Sequence, residues 1–371
     1  MWRQEMNRRS FFTRLAAMLA AVTGLMHSRL QNTVFAQERA GKSRVVSVFH
    51  PGASAAGNGL DNADLDQEAV RQMVNAGILA FTGEKDPKEA WRKIIPDVGK
   101  KVAIKINCQI QGVYTKAKVV QPLIEGLTAS GVPADNIIIY DMTFNAFDLA
   151  GFKRNLGSGV NVGRVADFGG YSRFLFHRLA NLLTGGYENS AWNLLAFVAR
   201  ESRFGVVRFL ANLLLLGKKP KWDCEYLINV PVLKALDGYS GISQSMKNHY
   251  GSFGNPSEHH ADIMDHIPLI NSQPEIRNKT RLIVMDAVFG EYKWINGRDQ
   301  KYVSRVNKIL IADDPVAIDT LGWRMIEELR KTHGLPPVSP PPTFLAKAAR
   351  MGLGHDNPAR IELVPVQLVS K

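Results

Sequence analysis

Six short apolar runs limit what this chain can fold into. They are RVVSVFH (44–50), KVAIKIN (101–107), NIIIYDM (136–142), EYLINVPVL (225–233), RLIVMDAV (281–288) and NKILIADD (307–314). Several are continuously apolar rather than alternating, as in strands covered on both faces. Helical stretches lie between them. Leu65 to Ala76 carries apolar residues at helical spacing with Gly77 as a stop, and Val120 to Ser130 runs into Gly131-Val132-Pro133. This alternation predicts an α/β fold of mixed, largely parallel sheets flanked by helices, over 43–371, in one body or as two lobes around a crevice. A proline-rich linker at 336–342 introduces a last helix near 342–351 and a closing strand near 361–369. With 45% apolar residues the chain can bury a large core.

One region departs from this rhythm. From Tyr171 to Lys219, leucine, phenylalanine and arginine recur at three- and four-residue spacing, the pattern of an amphipathic helical insertion. Arg200, Arg203 and Arg208 interrupt it before it reaches membrane-spanning length. It reads either as a helical cap on the sheet or as a basic, apolar face for a membrane surface, a protein partner or a lid.

The first 36 residues predict a compartment. Arg8-Arg9 and Ser10 precede a short apolar stretch, Leu15 to Met26, and Val34-Phe35-Ala36 supplies a small-residue cleavage site. Together they describe a twin-arginine-type signal peptide, and so the twin-arginine export machinery as a partner and a periplasmic or otherwise exported protein, retained at the membrane if the segment stays uncleaved. Removing residues 1–36 takes away five arginines and one glutamate, so the net charge falls from +12 to +8. A basic exported protein suits an anionic small molecule or a charged surface, and no nucleic-acid motif is present. Only Cys108 and Cys224 occur, too few thiolates for an iron–sulfur cluster within this chain. A disulfide between them and two free thiols are both compatible with the sequence.

The candidate chemistry sits at strand ends. Lys105 lies inside VAIKIN, Lys234 closes INVPVLK, and Lys247 with Asn248 lies in GISQSMKNHYG. Lysine is rarely buried without a partner, and ligands of α/β sheets bind beyond the carboxyl ends of the strands. Lys105 and Asn107 share a strand face by period-two spacing and, with Lys234, form a cationic, amide-bearing rim suited to an anion. Around Lys247, Ser243 and Gly251 belong to a glycine- and serine-rich stretch whose backbone can approach an anion closely, although it is no Walker loop.

Histidines follow at 249, 259, 260 and 266. A helix over 258–266 would set His259, Asp262 and His266 on one face, a candidate shell for a divalent metal, while His259 or His260 could serve in acid–base work. Asp286 ends a strand, Asp314 precedes Pro315 as a helix cap, and Asp319 lies beyond any cap role in its own helix. No GxSxG or GxGxxG signature occurs.

In order, VAIKIN, INVPVLK, GxSxxxKNxYG with histidines after it, MDAV, ADDPVAID and ARMGLGHDN…IEL are similar to the family catalogued as domain of unknown function 362, over roughly residues 45–370. By position the resemblance carries over Lys105, Asn107, Lys234, Lys247, Asn248, Gly251, Asp286, Asp314, Asp319 and one of His259 and His260. Some relatives carry ferredoxin-type clusters in an added segment, which this chain lacks the cysteines to hold. The expectation is an exported protein whose crevice takes an anionic ligand or metal-bound cofactor. Lys105, Asn107, Lys234, Ser243, Asn248, Gly251, Asp314 and Asp319 would bind it, and Lys247, His259, His260 and Asp286 would carry redox or proton-transfer chemistry. The alternative is a non-catalytic carrier, maturation or assembly factor docking through 171–219.

Overall fold

The apolar runs form strands at nearly the expected places. The computed structural model describes residues 41–371 apart from 56, 58, 60, 109–112, 144, 169–223, 253–259, 261, 295–299 and 370–371. The proposed export segment and the 171–219 insertion therefore lie outside the described residues. The strands are β1 (Ser43–Phe49), β2 (Val102–Ile106), β3 (Ile137–Asp141), β4 (Asn161–Arg164), β5 (Tyr226–Val230), β6 (Val232–Leu236), β7 (Gly241–Ile242), β8 (Thr280–Glu291), β9 (Val303–Ala312) and β10 (Ile361–Gln367). The helices are α1 (Gln67–Thr82), α2 (Pro87–Ile94), α3 (Ala117–Ser130), α4 (Ser245–Asn248), α5 (Ile263–Asn271), α6 (Pro274–Arg277), α7 (Pro315–Thr332) and α8 (Phe344–Arg350).

These strands make one mixed sheet in the order β10-β1-β9-β8-β5-β2-β3-β4, with β6 beside β8 and β7 beside β6. Parallel pairing dominates: six of the nine pairs are parallel, and the antiparallel ones are β1–β9, β8–β9 and β6–β7. The run 225–233, expected as one strand, is two. Pro231 interrupts it, and the long β8 pairs with β5 along its first half and with β6 along its second. Residues 41–371 cluster as one compact unit, and no division into two lobes is seen among the described residues.

Period-two alternation explains how the sheet is covered. Ile104, Ile106, Ile228 and Val230 share a core with Val119, Val120 and Leu123 of α3 and Val70 and Met73 of α1. Ala103 and Leu227, one residue out of phase, join Met246, Tyr250, Ile263, Ile267 and Ile270 on the opposite face. Gly77 is no helix stop. A Cβ there would stand 2.5 Å from Ile311 Cδ1, so it is the point where α1 presses on the sheet. The helix runs on to Gly83, whose φ of 75° ends it. The proline-rich stretch is packed rather than free: Arg330 Nε donates to Pro336 O at 2.6 Å, and Gly238 N donates to Ser339 O at 2.8 Å. No helix among the described residues is long and apolar enough to cross a membrane.

Candidate functional site

β2, β3 and β5 run parallel, so their carboxyl ends open on one edge of the sheet. Register places Lys105 between Tyr140 of β3 and Asn229 of β5. Its Nζ donates to Ile106 O at 2.6 Å, Asp141 Oδ1 at 2.8 Å and Asn248 Oδ1 at 3.1 Å. Three acceptors match the three protons of an ammonium. Asp141 is equally committed, taking Met142 N at 2.7 Å and Cys108 N at 2.5 Å as well. Gly251 lies against this pair. A Cβ there would meet Asp141 Oδ1 at 2.8 Å and Lys105 Cε at 3.0 Å, so only glycine lets the 249–252 turn approach so closely.

Asn248 ties the strands to that turn. Its Oδ1 accepts from Lys105 and from Asn107 Nδ2 at 3.2 Å, and its Nδ2 donates to Asn229 Oδ1 at 2.7 Å. Asn229 in turn donates to Ser245 O at 2.9 Å. Asn107 Oδ1 is buried and has no donor among the described residues.

Lys105 is one of four buried lysines here, with Lys116, Lys234 and Lys247, none more than 4% exposed. Lys116 Nζ donates to Tyr114 O at 2.9 Å and lies 4.7 Å from the Tyr114 ring centroid, and the Asp286 carboxylate attracts its charge. Lys234 lies 3.6 Å from Glu291 and 3.4 Å from Val113 O. Lys247 differs from all three. No acceptor among the described residues reaches its Nζ, which lies 4.7 Å from the Tyr250 ring centroid.

Burial governs the protonation of these groups. It pulls Lys116 and Lys234 down and pushes Asp286 and Glu291 up, each opposed by its partner's charge. Lys247 is pushed down to about 7, first by burial and then by the charges of Lys234 and Lys105. That electrostatic contact brings the three lysines expected from the sequence into one neighbourhood. His249 is pushed down to about 3 by burial and by Lys105, so it is neutral near pH 7. Its Nδ1 lies 3.3 Å from Ser252 Oγ, which lies 2.9 Å from Tyr140 Oη.

Other expected residues hold the site together. Asp319 caps a helix other than its own: its two carboxylate oxygens accept from Ser245 N at 2.7 Å and Met246 N at 2.9 Å, at the start of α4, which carries Lys247. Burial pushes Asp319 up to about 7 against those two bonds. Asp314 caps α7 through Val316 N and Ala317 N, and its other oxygen takes Ser43 Oγ at 2.5 Å and His355 N at 3.0 Å. Ser243 is buried, with its backbone N–H donating to Lys234 O at 2.9 Å. Asp286 accepts from Lys116 N at 3.3 Å.

The histidine-rich stretch departs from expectation. α5 begins at Ile263 with Asp262 at its N-cap, one turn before His266, so the helix is shorter than expected and His260 precedes it. His266 Nδ1 lies 3.1 Å from Asp262 O, and His260 packs edge-on against Tyr250. His259 lies outside the described residues. Among the described residues no group of three or more His, Cys, Asp or Glu is arranged to hold a metal ion. Cys108 and Cys224 are buried and not joined in a disulfide, and burial with the nearby Asp141 charge pushes the Cys108 thiol well up.

Asp141, Glu291, Asn229 and Lys116 were not expected from the sequence. The faint signal for Asp141 was its place directly after IIIY at a strand end.

One family model matches this part of the chain. Residues 214–324 match the family described as Domain of unknown function (DUF362). The match takes in Lys234, Lys247, Asn248, Gly251, Asp286, Asp314 and Asp319 and stops short of Lys105 and Asn107. No curated protein and no solved structure matches.

Proposed function

We propose that the chain binds a small anionic ligand, free or as the anionic part of a metal-bound cofactor, at the strand-end lysine cluster. The observation that carries this reading is Lys247, a buried amine with no acceptor among the described residues and two other lysines near enough to repel its charge. Burying an ammonium without a counter-charge costs on the order of several kcal/mol even after the protein relaxes around it. A ligand anion would remove that penalty. Lys234 is the second contact, because its charge lies close enough to Lys247 to act on the same anion. Lys105 acts as scaffold in this reading, since its donors are used. Asn107 Oδ1 offers an acceptor to a ligand N–H or O–H, and neutral His249 and Lys247 are the groups suited to proton transfer.

The test is thermal and calorimetric titration of wild type and Lys247→Met with inorganic phosphate, pyruvate and citrate. A ligand at about 100 times its Kd stabilises the fold by about 2.7 kcal/mol. The shift is expected in wild type and lost in the variant. An equal response in both, or none in wild type, overturns the reading.

The same reading places the protein outside the cytoplasm, supported by Arg8-Arg9 ahead of a short apolar stretch. An Arg8→Lys/Arg9→Lys variant should accumulate in the cytoplasm, whereas unchanged fractionation would refute twin-arginine export.

A further inference from the structure

We propose that Lys247 captures a ligand carbonyl as an imine, which makes the anion a 2-oxo acid; the inference rests on the anion-binding reading above. The site separates its lysines by task. Lys105 and Lys116 have acceptors at 3.1 Å or less, and Lys234 faces Glu291. Lys247 alone of the four offers Nζ with no acceptor among the described residues.

An amine attacks a carbonyl only through its lone pair. Burial, with Lys105 and Lys234 close by, favours the neutral form, the same physics that activates nucleophilic lysines beside a second cation. The groups facing Lys247 are Lys105 from β2, Lys234 from β6 and the Tyr250 ring. Burial pushes the Tyr250 hydroxyl up, so it stays neutral, and His249 on the same turn is neutral too. No carboxylate is close enough to Lys247 to form an ion pair among the described residues. A carboxylate next to the carbonyl supplies what the surroundings of Lys247 lack among the described residues, a negative charge, and sets the adjacent carbonyl carbon against Lys247.

The step balances without an added oxidant or reductant. The Nζ lone pair forms a bond to the carbonyl carbon as the C=O π pair moves to oxygen, giving a carbinolamine once a proton moves from nitrogen to oxygen. Loss of that oxygen as water, with the second nitrogen proton, leaves C=N between the ligand and Lys247.

Reductive trapping tests this. The full chain is incubated at pH 7 with pyruvate and sodium cyanoborohydride, which delivers hydride to the C=N carbon, and the adducts are mapped by peptide mass. Calorimetry with pyruvate and with lactate, which has the carboxylate but no carbonyl, runs in parallel. Expected is adduct formation at Lys247 on the order of a hundredfold faster than at surface lysines, because a lowered pKa raises the neutral fraction. Lys247→Arg should lose the adduct. If pyruvate and lactate both bind while Lys247 stays unmodified, the imine is overturned and anion binding stands. If neither binds and nothing is trapped at Lys247, both readings fall.

Discussion

Lys105 and Lys247 are buried to almost the same degree in the same strand-end neighbourhood, yet their surroundings are opposites. Lys105 has an acceptor for each of its protons and a carboxylate at 2.8 Å. Lys247 has an aromatic face and two like charges. The first arrangement completes a polar network inside the protein. The second leaves a charge that the fold does not answer. Buried polar groups that are fully matched specify structure, whereas a buried charge left unmatched is an opening for a ligand.

The sharpest way to break this comparison is to unmatch Lys105. Asp141→Ala leaves its ammonium buried without a counter-charge and takes the acceptor from Cys108 N. Breaking a buried pair in this way costs about 3–5 kcal/mol. Urea unfolding measures it, and a loss below about 1 kcal/mol, the scale of a surface pair, would mean that Lys105 is not held as described.

At Lys247 the opposite sign is expected. Lys247→Met removes an unpaired buried charge and should stabilise the ligand-free protein by about 1–4 kcal/mol while abolishing anion binding. The pH dependence follows from the lowered pKa. The folded value, about 7, lies below the ordinary 10.5, so the wild-type side chain weakens the fold progressively as pH falls from above 10.5 towards 7. The gain from Met should therefore be full below pH 7 and vanish above pH 10.5. A gain independent of pH would point to packing instead of charge.

The contrast also explains what could be seen in the sequence. Lys105 and Lys234 stand out because a lysine within or beside an apolar strand run breaks a local pattern, and Lys247 because it sits in a glycine- and serine-rich stretch. Asp141, Glu291 and Lys116 did not. A carboxylate at a strand end or a lysine before a helix looks like any turn residue, and its meaning depends on partners far along the chain. Lys105 and Asp141 are 36 positions apart. Asp319 was noticed because no cap role in its own helix reached it, but its actual task, capping α4 from 74 positions away, could not be read locally. The apolar strands were legible because continuous apolar runs need no distant information, whereas the short β4 and β7 carry no such run and were not expected. The single strand expected at 225–233 failed at Pro231, where β8 changes partner. The helix expected over 258–266 begins later, at Ile263, with Asp262 as its cap.

Gly251 joins the two lysine neighbourhoods, and a small change there tests how tightly. Gly251→Ala pushes a methyl against Asp141 Oδ1 and Lys105, whose positions are fixed by hydrogen bonds. Overpacking of this kind costs about 1–3 kcal/mol. Ligand affinity should fall with it, because the same turn follows Lys247. A fully stable Gly251→Ala protein with unchanged affinity would uncouple the turn from the site.

Asp319 gives the smallest and most specific test. Asp319→Asn keeps the shape and one acceptor oxygen, so loss of one capping bond should cost about 1 kcal/mol. Burial holds the folded pKa at about 7 against an ordinary 3.8. The wild-type carboxyl therefore contributes most below pH 3.8, and that contribution is lost as pH rises through 7. The stability advantage of wild type over Asp319→Asn should shrink across this window, read from paired unfolding curves at pH 4 and pH 7.5. Since α4 carries Lys247, the variant should also weaken anion binding without touching the ligand. If it alters stability and leaves binding unchanged, the cap supports the fold alone, and the unmatched amine keeps its place without it.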